Sequence, residues 1–442
     1  MTMETVQQGF GALQTTEDDV ISHSTDIFSL PSTEIAMLAG DTLAYRPTNL
    51  DSIGPYHFVI NPQGNKVLHL NTARLWIKAR VVTGDNTKLI SGVGVNLVNN
   101  FIGSFCDKVE IALDGADVGL SNNHLNYKQY VETLISYGNS ARESHLQAGG
   151  WHVDEANQFE FSATNTSDGI TQRTNIIKDS NEFTLMAPIH ADLLHTDRQF
   201  PPGIALSVII TRASDKFLLQ AKDDTVDYKL QIIEMKLFIR HITLTDSATS
   251  GMLQKIKTEP ISLPFNKTII KSITQSSSIS DLTLPNVIQG SIPKSLLIYM
   301  TVDGADSKYE LNPYNFQTFS LINAYIRVNG KTIPSEPYTP NFTMSHGYSR
   351  EYRDFFDNIG ISHDDHGNAV SMSMYKGGAF FIAFDLSPDL CNGYHKHLHR
   401  TGTIDLFMKT SKPLTKSVRV FIHATYDGLL QITPDKQCKV FY

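Results

Sequence analysis

No lysine or arginine occurs before Arg46 in this 442-residue chain. The same stretch holds Glu4, Glu17, Asp18, Asp19, Asp26, Glu34 and Asp41. A basic arm that condenses a genome is therefore excluded, because neutralised phosphates carry most of that affinity. The whole chain agrees: 37 basic against 45 acidic side chains give a net charge of −8. No direct nucleic-acid binding is expected. Cysteine is nearly absent. Cys106, Cys391 and Cys438 form an odd, sparse set, which excludes a disulfide framework and fits a reducing compartment. No run approaches the ~18 apolar residues that suggest a membrane-spanning helix. The first residues lack the basic-then-apolar order of a secretory leader. The sequons at Asn165, Asn266 and Asn341 are accordingly read as chance matches.

What is present is an ordinary globular balance, 41% hydrophobic and 19% charged, so disorder of the whole chain is excluded. The length fits two or three domains, or two large all-β ones. Residues 1–30 are polar, rich in Gln, Thr and Ser, and read as a mobile or partner-ordered arm. From Lys66 the pattern turns strand-like, with period two through Leu75–Val82 and a turn at Thr83–Asn86. Val109–Leu113 alternates and meets Asp114-Gly115, a strong hairpin signal. Further strands are expected over Leu206–Thr211, Tyr228–Ile242, Ser295–Val302, Asn323–Val328, Ala379–Phe384, Thr403–Met408 and Ser417–Thr425. Helical periodicity is rare. Its clearest case is Leu125 to Gly138, with Tyr127, Tyr130, Val131, Leu134 and Ile135 on one face. Asn122 or Asn123 is the expected start cap and Gly138 the expected stop. Many strands with few helices argue for sandwiches or barrels.

The second half echoes the first. Asp114-Gly115 is followed by a helix ending at Tyr137-Gly138. Asn329-Gly330 is followed by Tyr348–Phe356, ending near Gly360. Gly203–Val208 is matched by Gly402–Phe407, and the strand from Tyr228 by that from Val418. Two copies of one β-sandwich are the simplest reading, joined near 245–262, where Asp246–Lys257 has weak helical character.

Candidate chemistry is thin. His395, His397 and His399 alternate with Lys396 and Leu398 near Cys391, and imidazole with thiolate can bind zinc. The flanking Gly393 and Arg400-Thr401-Gly402 make the segment a loop, and a second ligand pair is lacking. His363-Asp364-Asp365-His366 could serve a hydrolytic metal but is also ordinary turn composition. No Gly-x-Ser-x-Gly elbow supports a nucleophilic triad. Gly92-Val93-Gly94-Val95 lacks the Gly-Lys of a phosphate loop and reads as a turn. Tyr314, Phe316, Phe319, Tyr325 and Tyr338 have no basic residue among them until Arg327, so core packing is expected rather than base stacking. No catalytic residue, cofactor or metal is assigned, and no enzyme is expected. Such a protein works by making contacts.

Several ordered motifs resemble the major capsid proteins of the Polinton (Maverick) and adintovirus-like double-stranded DNA viruses. They are Val98-Asn99-Asn100-Phe101, Tyr130–Gly138, Ile189–Leu193 with Asp197-Arg198 and Pro202-Gly203, Arg212–Phe217, Asn312–Phe316 and Tyr325–Pro337. The resemblance covers roughly residues 25–430. It implies an all-β fold of two tandem eight-stranded jelly rolls, a double jelly-roll, with short helices in loops. The expected parts are an arm (1–30), a first roll (31–245), a linker (246–262) and a second roll (263–442). It further implies pseudo-hexagonal homotrimers tiling an icosahedral virion shell, assembled in host cytoplasm or nucleus. Implied partners are neighbouring capsomers, penton and minor capsid proteins, and an internal membrane. Ser91–Leu97, Ile361–Val370 and His395–His399 depart from the family pattern and are expected to carry surface contacts. Two other readings compete. A carbohydrate-binding β-sandwich wants exposed aromatics, yet only Trp76 and Trp151 are available as tryptophans, and Trp76 sits in an apolar strand. A metal-dependent enzyme would use the two His groups above.

Overall fold

The computed structural model describes residues 33–51, 53–90, 94–161, 167–222, 224–361, 367–388 and 396–442. The 1–30 arm, His363–His366, Cys391 and His395 lie outside the described residues.

Sixteen strands build two copies of one arrangement. The first copy comprises β1 (Met37–Tyr45), β2 (Tyr56–Ile60), β3 (Lys66–Thr83), β4 (Cys106–Leu113), β5 (Ala116–Asn122), β6 (Phe183–Pro188), β7 (Leu206–Arg212) and β8 (Tyr228–Leu244). The second comprises β9 (Ile261–Gln275), β10 (Asp281–Ser291), β11 (Ser295–Val302), β12 (Leu321–Val328), β13 (Lys331–Tyr338), β14 (Ile382–Asp385), β15 (Thr401–Thr410) and β16 (Val418–Ile432). The first copy forms the sheets β1-β8-β3-β6 and β2-β7-β4-β5. The second forms β9-β16-β11-β14 and β10-β15-β12-β13. Each order in the second copy is the first with eight added to every strand. Every pairing within these four sheets is antiparallel. Each copy is a jelly roll: two four-stranded sheets packed face to face. A last strand, β17 (Cys438–Phe441), pairs with Leu429–Ile432 at the far end of β16.

The strand pattern explains the sheets. On β3, Leu75, Ile77, Ala79 and Val81 are fully buried, while Trp76, Lys78 and Arg80 point to the other face. That is the period-two signature of a sheet with one face on a core. The β8–β3 pairing slips between Phe238 and Arg240. The resulting bulge lets Leu70, Ala73 and Leu75 all face inward although their spacing breaks strict alternation.

Four helices of nine residues or more lie outside the sheets among the described residues. They are α1 (Leu125–Ser136), α2 (Asp168–Ile176), α3 (Asp246–Ile256) and α4 (Ser349–Asn358). Helix α1 follows the Asp114-Gly115 hairpin and α4 follows Asn329-Gly330, as the echo requires. Helix α3 joins the rolls. Thr245 caps it by accepting a hydrogen bond from the Ala248 amide, which supplies one of the orphan donors of a helix start.

Several details correct the sequence reading. Helix α1 starts at His124 in a left-handed conformation with no side-chain cap, because Asn122 is engaged with Asp192 instead. Its stop falls at Tyr137. The strand expected over 379–384 begins only at Ile382, and that expected over 417–425 runs on to Ile432. Strands β1, β2, β5, β6, β9, β10, β13 and β17 are not among the strands expected from the sequence. Tyr314, Phe316 and Tyr338 are core residues. Tyr325 is not: it is half-buried and stacks on Phe407 at 4.8 Å on the outer face of its sheet. Val95–Leu97, expected at the surface, is a buried three-residue strand paired with Leu219–Ala221.

Candidate assembly site at the junction of the two rolls

The two rolls meet through α1. The outer face of the sheet β9-β16-β11-β14 carries Tyr299, Phe421 and His423, all buried, and the edge strand β9 brings the buried Lys267 to the same seam. Helix α1 covers that face. The Tyr127 ring lies 4.4 Å from Phe421, and Phe421 stacks on Tyr299 at 5.1 Å. From the second roll, the β11–β12 connection reaches back into the first. Its Tyr314 stacks on Tyr130, and its hydroxyl lies 2.8 Å from Ser104 Oγ and 3.2 Å from the Asn126 carbonyl oxygen. Aromatic area of this size is the dominant source of cohesion at such a seam.

Beside the aromatics runs a buried charge network centred on Asp192. Its carboxylate accepts from Lys128 Nζ at 2.8 Å, Asn122 Nδ2 at 2.7 Å and the Thr268 amide at 3.2 Å. Lys267 Nζ, from the second roll, lies 3.4 Å away. Lys128 also donates to the His190 carbonyl oxygen and pairs with Glu132 at 3.4 Å. Glu132 in turn holds His190 Nδ1 at 2.7 Å. The side chains of Lys128, Lys267 and Asp192 are 5%, 5% and 1% exposed, so these charges persist only because they are paired. Burial alone would lower the Lys128 pKa; Asp192 and Glu132 outweigh it and raise it. Burial would raise Glu132, but Lys128 and His190 hold it well below the usual carboxylate range. His423 faces the same network from β16. Burial, aided by Lys128, brings its pKa down to about 4.

Two further contacts tie the rolls. Arg142 Nη2 donates to the Leu134 and Asn368 carbonyl oxygens. Lys436, just before β17, pairs with Asp114 in the hairpin turn of the first roll at 2.7 Å. Within the first roll, Arg173 and Asp154 form a fully buried pair at 2.6 Å. Arg173 also donates to the carbonyl oxygens of Leu97 and His152.

The sequence-level candidates fall elsewhere. His397 and His399 sit on an extended loop beside Lys294, Asp427 and Tyr442. His399 Nε2 lies 2.9 Å from Ser291 Oγ, and His397 Nδ1 lies 3.9 Å from Asp427. Among the described residues no three His, Cys, Asp or Glu side chains converge as a metal site. Cys106 is buried, and burial pushes its thiol pKa well up. Sequence reasoning missed Asp192, Lys267 and His423. The only available signal was a set of charged residues inside otherwise apolar strands and at an α1 face.

No protein-family profile matches the sequence. The uncharacterized protein F54H12.2 of Caenorhabditis elegans is 20% identical over 349 residues, 76% of this chain and 80% of that protein. Solved structures match over nearly the whole length. A chain of the Sputnik virophage particle aligns with a TM-score of 0.61 and 12% identity, covering 97% of this chain and 94% of that one. The mavirus major capsid protein aligns at 0.56 and 13% identity, covering 97% and 96%. VP54 of the virus PBCV-1 aligns at 0.56 and 11% identity, covering 94% and 99%. These neighbours are double jelly-roll major capsid proteins of virophages and large DNA viruses, and this chain has their fold.

Proposed function

We propose that this chain is a major capsid protein whose homotrimers form pseudo-hexagonal capsomers of an icosahedral shell. The observation that carries this reading is the repeat. Two rolls of identical strand order in one rigidly joined chain give a trimer six nearly equivalent towers. The full-length likeness to virophage and viral capsid chains supports it. In this reading the first roll spans 31–245, the linker 246–262 and the second roll 263–442. The role is structural rather than catalytic, and the protein resides in the virion. Penton proteins, minor capsid proteins and an internal membrane are its expected neighbours, with assembly in host cytoplasm or nucleus. The nematode relative favours the Polinton and adintovirus-like group, whose capsid genes lie integrated in animal genomes.

Light scattering after size-exclusion chromatography tests the reading. A stable species of three 49.2-kDa chains supports it, since closed rings are the usual end of such association. A monodisperse monomer at high concentration counts against it.

A further inference from the structure

Four lysine and arginine residues are buried among the described residues: Lys128, Arg142, Arg173 and Lys267. Three have a carboxylate. Lys128 and Lys267 share Asp192, and Arg173 pairs with Asp154. Arg142 has none. It closes the single helical turn Asn139–Arg142 that follows α1 and is 1% exposed, and no acidic group among the described residues pairs with it.

Its partners are dipoles. Nη2 uses both protons on the carbonyl oxygens of Leu134, in the last turn of α1, and Asn368, in the β13–β14 connection. The guanidinium carbon lies 5.4 Å from the Trp151 ring centre. The negative end of α1 and an aromatic face each offset part of a cation. A full charge buried this deeply still calls for a full counter-charge. Burial brings the Arg142 pKa down only to about 10, so the guanidinium stays charged at neutral pH.

The groups beside it have the same need. Arg142 Nε, Trp151 Nε1 and Asn368 Nδ2 are buried and make no hydrogen bond among the described residues. All three are donors. Guanidinium and indole nitrogens cannot accept. The Asn368 amide cannot be turned over, because its Oδ1 already accepts from the Val370 amide at 3.1 Å. Buried polar groups are nearly always answered. A water can answer one or two of these N–H groups, but it brings no charge. An anion answers the donors and the charge together, and a halide needs little more room than a water.

We infer that Arg142, Trp151 and Asn368 hold a small monatomic anion of the chloride class at the seam between the rolls. The site lies where the end of α1 in the first roll meets the β13–β14 connection of the second. An ion held there ties the rolls, and its loss loosens them. The site does not depend on the capsid reading and is tested apart from it.

Calorimetry of the full chain in sodium chloride and in sodium gluconate, at equal ionic strength and pH, is the first test. The unfolding midpoint should climb by about 2 °C for each tenfold rise in chloride above its dissociation constant, because the ion binds the folded state alone. A crystal soaked in bromide should show an anomalous peak in contact with Arg142 Nε. Trp151→Phe keeps a ring beside the guanidinium and removes one donor, so about tenfold more chloride should be needed for the same shift. Asn368→Asp supplies the counter-charge from the chain itself. Its midpoint should no longer respond to chloride and should match the wild type in chloride, which an arginine that merely caps α1 does not predict. Equal wild-type midpoints in the two salts, or a bromide map with no peak at Arg142, overturn the site and leave water as the partner of these donors. A chloride response undiminished in Asn368→Asp overturns it as well.

Discussion

Tyr130 and Tyr314 come from different rolls and stack face to face, 2° from parallel with ring centres 3.8 Å apart. Both are fully buried. The stack sits where α1 meets the β11–β12 connection, so it fixes the depth to which one roll enters the other. Tyr314→Ala should cost about 3–5 kcal/mol, the usual range for deleting a large buried side chain. Tyr314→Phe keeps the stack but loses the contacts to Ser104 and Asn126 and should cost about 1–2 kcal/mol. Urea unfolding of both variants measures the difference. Equal losses would mean that the hydroxyl, not the ring, matters.

Asp192 gathers two lysines, an asparagine and a backbone amide. Asp192→Ala strands Lys128 and Lys267 in a low-dielectric seam. The expected loss is about 3–5 kcal/mol, typical of breaking a buried ion pair from one side. A double-mutant cycle with Lys267→Met separates the inter-roll share from the part within the first roll. A coupling energy near zero would leave the Thr268 amide as the second roll's share of the Asp192 contacts.

Acid should loosen the junction. His423 has a folded pKa of about 4 against an ordinary value of 6.5. The unfolded chain therefore binds more protons between those values, and stability falls as pH drops from about 6.5 towards 4. With His423 only 5% exposed, its share is of order 3 kcal/mol. Glu132, held low by Lys128 and His190, adds loss in the same direction only at still lower pH. His423→Gln should lessen the slope of the stability curve between pH 6.5 and 4 without abolishing it, since burial also brings His195 down to about 4. Parallel curves for variant and wild type would refute the assignment.

In the proposed capsid, deleting residues 1–25 should impair shell formation while leaving trimers intact, as expected of an acidic arm whose partners are neighbouring proteins rather than the genome. Electron microscopy of assembled material and solution mass read the two effects separately. Loss of the trimer itself would refute this role.

The purified protein should carry no stoichiometric zinc or manganese. His399 is bound to Ser291, and His397 faces Asp427 rather than a set of thiolates. Elemental analysis decides, and a near-equimolar metal would revive the enzyme reading.

The repeat was legible because it is written in local signals. Asp114-Gly115 and Asn329-Gly330 both turn a hairpin, and Gly115 and Gly330 both take φ near +80°, a conformation that side chains resist. Long two-sided strands such as β3 were legible for the same reason. Most edge strands were not. Strand β1 exposes most of its side chains, so its sequence carries no alternation to read. Proline at 334 and 337 disguised β13, which proline tolerates because it is an edge strand. The junction was harder still. Lys128 and Lys267 lie 139 positions apart in sequence, and only the packed rolls bring both to Asp192.

The pairing of Lys128 with Asp192 has a consequence during synthesis. The ribosome delivers every strand of the first roll before any of the second, and at roughly 5–20 residues per second the remainder follows tens of seconds later at the slow end. Throughout that interval α1 lies uncovered. Its lysine already has a carboxylate and a carbonyl oxygen as partners within the finished half. The nascent half can thus wait with its charges answered, and β9, the first strand to emerge after the linker, brings Lys267 to a prepared place.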